Sequence, residues 1–276
     1  METALCCPVC GRPLTFTEKT AFCENRHGYD RAKSGYINLL LSQRSGDRVH
    51  GDDIGMVRAR KRFLDGGWYL PLAEKVTEML PKDIPAGLPL LDAGCGEGWY
   101  TEKLHAASGR ETYGIDISKE AVNLASKRDK DSLYAVASAF SLPFAPDSVG
   151  IVTDLFAPLA AAEFLRVTAP GGYLLKVMPD KRHLYELKTA IYDSVYETET
   201  DEEVPAGFSL VTKERLSFRI ALPDHGTVAD LFSMTPYAHN TTSADLKKLD
   251  ALGGIGTECA FVLMLMKKEK REEKEV

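Results

Sequence analysis

The chain has 276 residues, of which 44% are hydrophobic and 27% are charged, and its formal net charge is −6. This length suits one large domain with a smaller one, and no run approaches the roughly 20 apolar residues of a membrane-spanning helix, so we expect no membrane span. The beginning METALCCPVC lacks a basic start followed by a long apolar stretch, so we expect a cytoplasmic protein with reduced thiols and no secretion signal.

Charge is distributed unevenly along the chain. Residues 1–63 hold 11 Lys and Arg against 7 Asp and Glu, a surplus of +4 that leaves −10 for the remainder. A basic front on an acidic body is typical of a protein that binds an anionic polymer. Composition alone favours the simpler interpretation that the surplus charge solvates a surface.

The front of the chain carries a dense cluster of cysteines. Cys7, Cys10, Cys23 and His27 follow the pattern C-x2-C-x12-C-x3-H. Three thiolates and one imidazole fill the four positions of a tetrahedral zinc ion and leave none open for a substrate. The pattern therefore predicts a structural zinc site, which stabilises a segment with few apolar residues of its own.

Two other interpretations of the cysteine cluster carry less weight. A disulfide is disfavoured in a reducing compartment. A C-x-x-C redox pair prefers the start of a helix, whereas Pro8 and Gly11 indicate a turn. Cys6 is a spare thiol that could replace Cys7, although the tighter two-residue gap favours Cys7.

The next stretch interleaves aromatic and basic side chains before a helix. The rings and cations are those of Tyr29, Arg31, Lys33, Tyr36, Arg44 and Arg48. Rings can stack on unpaired bases while cations bind phosphates, but the tyrosines serve equally well as the core of a small domain. Asp52 or Asp53 is placed to cap a basic helix that starts near Ile54 and ends at Gly66 and Gly67.

From about residue 70 the pattern alternates between strands and helices. Residues 88–109 predict a strand, a glycine-rich turn and a helix, and residues 111–129 predict a second strand and helix. Later strands are expected at 133–138, 148–156, 171–179, 212–222 and 258–267, with helices at 159–168 and 182–195. Short connections with parallel crossovers predict a doubly wound α/β sheet.

A glycine-rich turn follows the first strand of this sheet, where ligands bind in such folds. Asp92, Gly94, Gly96 and Gly98 form D-x-G-x-G-x-G, and Asp116 ends the second strand, where a carboxylate can accept both ribose hydroxyl hydrogens. The alternation differs from the G-x-G-x-x-G of dinucleotide sites. Asp92 would repel a diphosphate, so we expect it to face a cationic ligand.

These stretches resemble the class I S-adenosylmethionine methyltransferases. The glycine alternation is similar to their first motif, and RVTAPGGYLLKV is similar to their Pro-Gly-Gly turn before the fifth strand. SAFSLPFAPDSVGIV resembles the segment that holds adenine, with Ala139 and Phe140 near the base. The resemblance implies a Rossmann-like sheet that binds S-adenosylmethionine.

The order of motifs along nearly the whole chain resembles the RlmA family of rRNA guanine-N1 methyltransferases. The zinc cluster is followed by DRAKSGYINLL, ARKRFLDGGWYLPL, LDAGCGEGWYT, RHLYELK and MTPYA. The resemblance implies a zinc-ribbon RNA-recognition domain at 1–40, a basic linker loop and helix at 41–69, a methyltransferase domain at 70–268 and a charged tail at 269–276. The implied substrate is a hairpin of 23S ribosomal RNA, and homodimers are known in the family.

The family's cofactor contacts carry over onto Tyr69, Gly96, Glu97 and His183, with Asp116 as the ribose ligand. Its zinc ligands carry over onto Cys7, Cys10, Cys23 and His27. Each cofactor residue has a simpler alternative. Tyr69 could anchor the linker helix on the sheet, His183 could satisfy local backbone, and Glu97 could serve the first turn of a helix.

Guanine N1 carries a proton that must leave during methylation, so a base is needed near the acceptor. Asp154 follows the fourth strand and is our candidate, with capping of the next turn as its alternative role. No cysteine has the setting of a covalent nucleophile, which suits ring-nitrogen methylation. Two other functions stay open: a methyltransferase for a small molecule or protein, and a non-catalytic RNA-binding relative.

Overall fold

A small antiparallel sheet forms the front of the chain in a computed structural model that describes residues 2–41, 53–195, 197, 200–239 and 241–269. Its strands are β1 (Glu2–Cys6), β2 (Pro13–Phe16), β3 (Thr20–Phe22) and β4 (Gly28–Asp30), in that order. Residues 42–52 of the predicted linker and 270–276 of the predicted tail lie outside the described residues.

The body is built on an eight-stranded mixed sheet with the order β11-β12-β10-β9-β6-β7-β8-β5. Its strands are β5 (Ile37–Asn38), β6 (Leu90–Ala93), β7 (Thr112–Asp116), β8 (Leu133–Val136), β9 (Val149–Leu155), β10 (Thr168–Pro179), β11 (Phe208–Leu222) and β12 (Ile255–Lys268). Strands β5 to β10 pair in parallel, while β12 runs antiparallel to both of its neighbours. From β6 the chain winds outward first through β7 and β8 and then through β9 and β10, so the winding reverses between β6 and β9. The doubly wound sheet is confirmed.

Eight α-helices and a short 3-10 helix at Pro236–His239 lie in the described part of the chain. The α-helices are α1 (Ile54–Asp65), α2 (Leu70–Glu78), α3 (Trp99–Ser108), α4 (Lys119–Arg128), α5 (Ala161–Val167), α6 (Tyr185–Ile191), α7 (His225–Ser233) and α8 (Ser243–Asp250). Asp53 caps α1 by accepting a hydrogen bond from the Met56 N–H at 2.9 Å. Helix α6 is shorter than the predicted 182–195 because Leu184 adopts a φ of +54° before it and Tyr192 is extended after it. None of these helices is long and apolar enough to cross a membrane.

The front sheet and the body share one hydrophobic core. Strand β5 pairs in parallel with β8, with Ile37 opposite Ala135. The Ala4 N–H donates to the Tyr113 hydroxyl at 2.8 Å, and the Cys6 N–H donates to the Pro143 carbonyl at 2.7 Å. Side chains from both parts are buried together, among them Leu5, Leu14, Ile37, Tyr113 and Phe144. The segment that carries the metal cluster is therefore packed directly against the main sheet.

Candidate metal centre and cofactor site

Four potential metal ligands converge in the front sheet. The ligand atoms of Cys7, Cys10, Cys23 and His27 all lie within 4.8 Å of one another. The Sγ atoms of Cys7 and Cys23 each lie 3.5 Å from His27 Nδ1, and the Sγ atoms of Cys10 and Cys23 are 3.7 Å apart. Zinc bond lengths to sulfur and nitrogen set tetrahedral edges of about 3.5–3.8 Å, so the donor set fits zinc.

Two tight turns bring the ligands together. Gly11 has a φ of +71° and its N–H donates to the Cys7 carbonyl at 2.8 Å, which closes the first turn. Arg26 has a φ of +63° and its N–H donates to the Cys23 carbonyl at 2.9 Å in the second. All six cysteines of the chain are free thiols. Cys6 is buried with its Sγ beside the Ala4 carbonyl and lies outside the four-residue cluster.

Tyr29 supports the metal cluster, which the sequence did not reveal. Its hydroxyl lies 3.0 Å from Cys7 Sγ, within reach of a hydrogen bond to that sulfur. A donor beside a metal ligand orients it and stabilises the thiolate form. Sequence reasoning weighed Tyr29 only as a stacking or core residue, because its sulfur partner lies 22 positions away.

The three glycines of the predicted loop between β6 and α3 all adopt the left-handed conformation. Their φ angles are +84° at Gly94, +54° at Gly96 and +82° at Gly98. A Cβ atom at Gly94 would lie 2.5 Å from the Cβ of Ala157, and one at Gly98 would lie 2.8 Å from the Cβ of Ala125. The loop thus depends on glycine for both backbone freedom and close approach.

Asp92 lies beneath this loop and is 1% exposed. Its Oδ2 accepts a hydrogen bond from the Thr101 hydroxyl at 2.6 Å, and its Oδ1 accepts one from the Thr153 hydroxyl at 2.8 Å. Burial raises the pKa of Asp92 to about 6. Since both oxygens are bound by threonines, Asp92 ties α3 and β9 to β6, which differs from the predicted orientation towards a cationic ligand.

Asp116 stands at the end of β7, directly beside the glycine loop. Its Oδ2 accepts a hydrogen bond from the Gly96 N–H at 2.9 Å, and its Oδ1 accepts one from the Ser118 N–H at 2.8 Å. These bonds fix the carboxylate between the loop and the start of α4. The side chain is only half-buried, so it is accessible from the carboxyl edge of the sheet.

Three buried polar atoms without a hydrogen-bond partner gather around the glycine loop. They are Glu97 Oε1, the Tyr100 hydroxyl and Asp154 Oδ2, and the described residues contain one other such side-chain atom, in Ser132. Buried polar groups are almost always paired, so each of these atoms needs an explanation, and a bound ligand is one; Glu97 Oε1 has the Arg128 guanidinium nearby, at 4.0 Å. Burial raises the pKa of Glu97, and the nearby Arg128 guanidinium opposes that rise.

Tyr69 and His183 meet in the core behind the loop. The Tyr69 hydroxyl lies 3.4 Å from His183 Nε2, while His183 Nδ1 accepts a hydrogen bond from the Ala260 N–H at 3.2 Å. Burial lowers the pKa of His183 to about 3, so the ring is neutral and carries its proton on Nε2. The two side chains are 3% and 7% exposed and both pack against Phe261, so the structure brings the pair together as an anchored unit.

Ala139 and Phe140 follow β8 at the same edge of the sheet as Asp116. The Phe140 ring is 62% exposed, and its N–H donates to the Ser138 hydroxyl at 3.2 Å. A large exposed ring beside a ligand-binding edge is available to cover a flat heterocycle. The pair therefore lies at the carboxyl edge of the sheet, and its contact with adenine stays a prediction.

Helix α1 lies over the glycine loop, and its cations are engaged within the protein. Arg58 pairs with Glu120 at 3.5 Å, Lys61 pairs with Asp65, and Arg62 pairs with Asp230 at 2.5 Å. Arg60 reaches the loop, with its guanidinium 3.7 Å from the place where a Gly96 Cβ would lie. The basic helix predicted from the sequence is thus fastened to α4 and α7.

Asp154 lies near the end of β9 and is 1% exposed. Its Oδ1 accepts a hydrogen bond from the Ala157 N–H at 3.2 Å, so it does cap the following turn, while Oδ2 is left unpartnered. Lys176, opposite it on β10, donates to the Asp201 carbonyl at 2.9 Å. Burial raises the pKa of Asp154 to about 7, despite the opposing charge of Lys176.

Comparison with known proteins agrees with both parts of the site. A family model described as "RlmA, N-terminal" matches residues 5–45, and one described as "Methyltransferase domain" matches residues 91–175. The chain is 32% identical to the 23S rRNA (guanine(748)-N(1))-methyltransferase of Streptomyces fradiae over 258 residues, which cover 90% of this chain and 91% of that one.

Two further matches support these findings. YxjB of Bacillus subtilis, provisionally named as a 23S rRNA (guanine-N(1)-)-methyltransferase, is 31% identical over 84% of this chain and 86% of its own length. A crystal structure from Bacillus halodurans, provisionally titled as a methyltransferase, superposes with a TM-score of 0.50 at 16% identity, covering 72% of this chain and 99% of that one. The structural match bears on the fold alone.

The reversed winding, the glycine loop at the reversal and the matching family model define a class I methyltransferase that uses S-adenosylmethionine. The orphaned polar atoms at the loop fit such a ligand, and the Cys and His donors fit zinc. The chain belongs to the RlmA family, whose zinc ribbon it carries at its front.

Proposed function

We propose that this protein transfers a methyl group from S-adenosylmethionine to N1 of a guanine in a hairpin of 23S ribosomal RNA. The observation that carries the proposal is the 32% identity with the Streptomyces fradiae enzyme, which extends through both the front and the body. Relatives named for carrier proteins match a much smaller share of the chain, as the 38% coverage by a malonyl-[acyl-carrier protein] O-methyltransferase illustrates. The match of the RlmA N-terminal model to residues 5–45 therefore favours RNA.

We assign the cofactor to the carboxyl edge of β6, β7 and β8. Asp116 would accept from the ribose hydroxyls, Gly94, Gly96 and Gly98 would admit the donor close to the backbone, and Glu97 Oε1 would accept from its ammonium group. Ala139 and Phe140 would cover the adenine, and Tyr69 with His183 would support the pocket from behind. When bound, the sulfonium supplies an electrophilic methyl group, so the protein contributes chiefly by positioning.

We assign the base to Asp154. Its unpartnered Oδ2 would accept the N1 proton of guanine, and a pKa of about 7 keeps part of the population ionised at neutral pH while favouring proton uptake. Oδ1 holds the turn through Ala157, so the carboxylate keeps its orientation during the reaction. Loss of that proton to Asp154 would give N1 the lone pair that a methyl acceptor needs.

We assign residues 1–40 to RNA recognition on a zinc-stabilised frame. Lys19, Arg26 and Lys33 are exposed on this part, and Phe22 presents a ring that is 43% exposed. Cations and rings together suit a partly unpaired RNA, in which phosphates and bases are both accessible. A cytoplasmic location and a homodimer complete the proposal.

A methylation assay tests the proposed function. The protein is incubated with labelled S-adenosylmethionine and unmodified 23S ribosomal RNA, a hairpin fragment, or a mixture of metabolites and proteins. We expect label in the RNA and a strong primer-extension stop at one guanine, because a methyl group on N1 blocks base pairing. Label confined to metabolites or proteins, or no transfer to any substrate, would overturn the proposal.

A further inference from the structure

Phe156 has an unusual backbone for a large aromatic residue. Its φ is +64°. Among the other non-glycine residues that the structure describes, only Arg26, Asp147 and Leu184 also have a positive φ. The left-handed region is strained for a bulky L-residue and persists where the surroundings enforce it. Strain of this kind concentrates at functional sites, so the turn after β9 needs an explanation.

The surroundings of Phe156 do enforce the conformation. Its N–H donates to the Val177 carbonyl on β10 at 3.1 Å, and the next residue, Ala157, donates its N–H to Asp154. Ala157 also packs on Gly94, with no room for a Cβ between them. The turn is thus clamped between the sheet and the glycine loop of the cofactor site.

This backbone holds an apolar ring partly in solvent. Phe156 is 42% exposed, and its ring centroid lies 6.4 Å from that of Tyr100 and 5.6 Å from that of Phe261, both at tilted angles. Full burial of this ring would stabilise the folded protein, because removing apolar surface from water is favourable. The chain instead keeps the ring at the edge of the site, two residues after Asp154 and its unpartnered oxygen.

We propose that the Phe156 ring is the platform on which the target guanine stacks when it leaves its own helix, an inference that rests on the proposed function. A base must unstack to enter a methyltransferase pocket, and an aromatic face replaces the stacking that it loses. Phe156 lies in the turn that the Asp154 carboxylate caps, so a purine stacked on the ring would have its N1 edge towards that carboxylate. Phe140, which follows β8, is left to the cofactor.

Three variants test the platform. Phe156→Leu keeps an apolar side chain without a ring, Phe156→Tyr keeps the ring, and Leu210→Ala on β11 is the control, because Leu210 is 44% exposed and lies on the edge strand away from the site. Base–aromatic stacking corresponds to a change of about 5- to 150-fold, so we expect Phe156→Leu to lower kcat/KM for RNA by that factor. Phe156→Tyr and Leu210→Ala should stay within about threefold of the wild type.

A second readout separates stacking from a structural role. Once the methylated guanine is mapped, a hairpin with 2-aminopurine at that position reports stacking, because its fluorescence is quenched against an aromatic face. We expect quenching with the wild type and Phe156→Tyr, brighter emission with Phe156→Leu, and unchanged affinity for S-adenosylmethionine by calorimetry in all of them.

The outcomes distinguish this inference from the proposed function. If the wild type fails to methylate 23S ribosomal RNA, the proposed function is overturned and this inference with it. If the wild type is active and Phe156→Leu matches Leu210→Ala in kcat/KM and fluorescence, only the platform is overturned. A loss of cofactor affinity that accounts for the whole loss of activity would also overturn the platform, because the ring would then serve the cofactor.

Discussion

Gly94 and Ala157 touch so closely that a single added Cβ on the glycine would lie 2.5 Å from the Cβ of the alanine. This contact joins the glycine loop after β6 to the turn after β9, on the two sides of the point where the sheet reverses its winding. The contact therefore packs the glycine loop directly against the turn that Asp154 caps.

Gly94→Ala should disrupt the site. The variant combines the cost of a positive φ with a clash, so we expect a loss of about 2–4 kcal/mol in the free energy of unfolding and little measurable binding of S-adenosylmethionine. Urea unfolding and calorimetry measure the two effects. Gly253→Ala is the control, because no atom lies within 4 Å of its added Cβ and its φ is not positive. Equal behaviour of the two variants would contradict the structure of the loop.

Asp154→Asn should lower kcat by about 10²–10⁴-fold while leaving cofactor affinity within a few-fold, because only proton transfer is lost. In the wild type, kcat should rise with pH through about 7 and then level, since the carboxylate is the active form. A full rate in the variant, with normal RNA binding, would remove Asp154 from the mechanism.

The raised pKa of Asp154 has a second consequence, for stability. Its value of about 7 in the folded protein exceeds the roughly 3.9 of an unfolded chain, so the folded state binds the extra proton between these values. The contribution of Asp154 to the free energy of unfolding is therefore lost as pH rises from about 4 to about 7. Above about pH 7 this contribution no longer changes. Chemical unfolding across this range should show a steeper decline in the wild type than in Asp154→Asn, in which buried Asp92, with its pKa raised to about 6, still contributes.

Metal analysis should find about one zinc ion per chain, held by the four-residue cluster. Cys10→Ser should abolish zinc binding and lower the free energy of unfolding by about 4 kcal/mol or more, while Cys6→Ala should keep the metal. Because β5 pairs with β8, which leads to Ala139 and Phe140, the zinc-free protein should also bind S-adenosylmethionine more weakly. Retention of zinc by Cys10→Ser would refute the ligand set.

Asp116→Ala should weaken the binding of S-adenosylhomocysteine by about 10- to 150-fold. The reason is that charged hydrogen bonds to the ribose and to the Gly96 N–H are lost. The wild type should prefer this ligand over its 2′-deoxy analogue, and the variant should not. Asp131→Ala, at an exposed position after α4, serves as the control. A ribose preference that survives in Asp116→Ala would place the ribose elsewhere.

The sequence predicted the features that repeat a local pattern. Alternation of strands and helices predicted a doubly wound sheet, and the spacing of Cys7, Cys10, Cys23 and His27 predicted the cluster that the structure brings together. Local patterns work here because glycine turns and tight ligand turns need particular residues at particular positions.

Features that depend on distant contacts were not predictable in this way. The binding of Asp92 by Thr101 and Thr153 depends on how α3 and β9 meet β6, and no local pattern encodes that. Helices α2, α7 and α8 and the pairing of β5 with β8 were missed for the same reason. The ion pairs that hold the cations of α1 were not predicted either, because Glu120 and Asp230 lie far along the chain.

The pairing of β5 with β8 also constrains how the protein is made. Ile37 leaves the ribosome long before Ala135, its partner in the sheet, so at about 5–20 residues per second the early strand waits roughly 5–20 s for a neighbour. During that interval the nascent front exposes apolar side chains that the finished protein buries. The first 40 residues, expressed on their own, should consequently aggregate or require a chaperone even with zinc present.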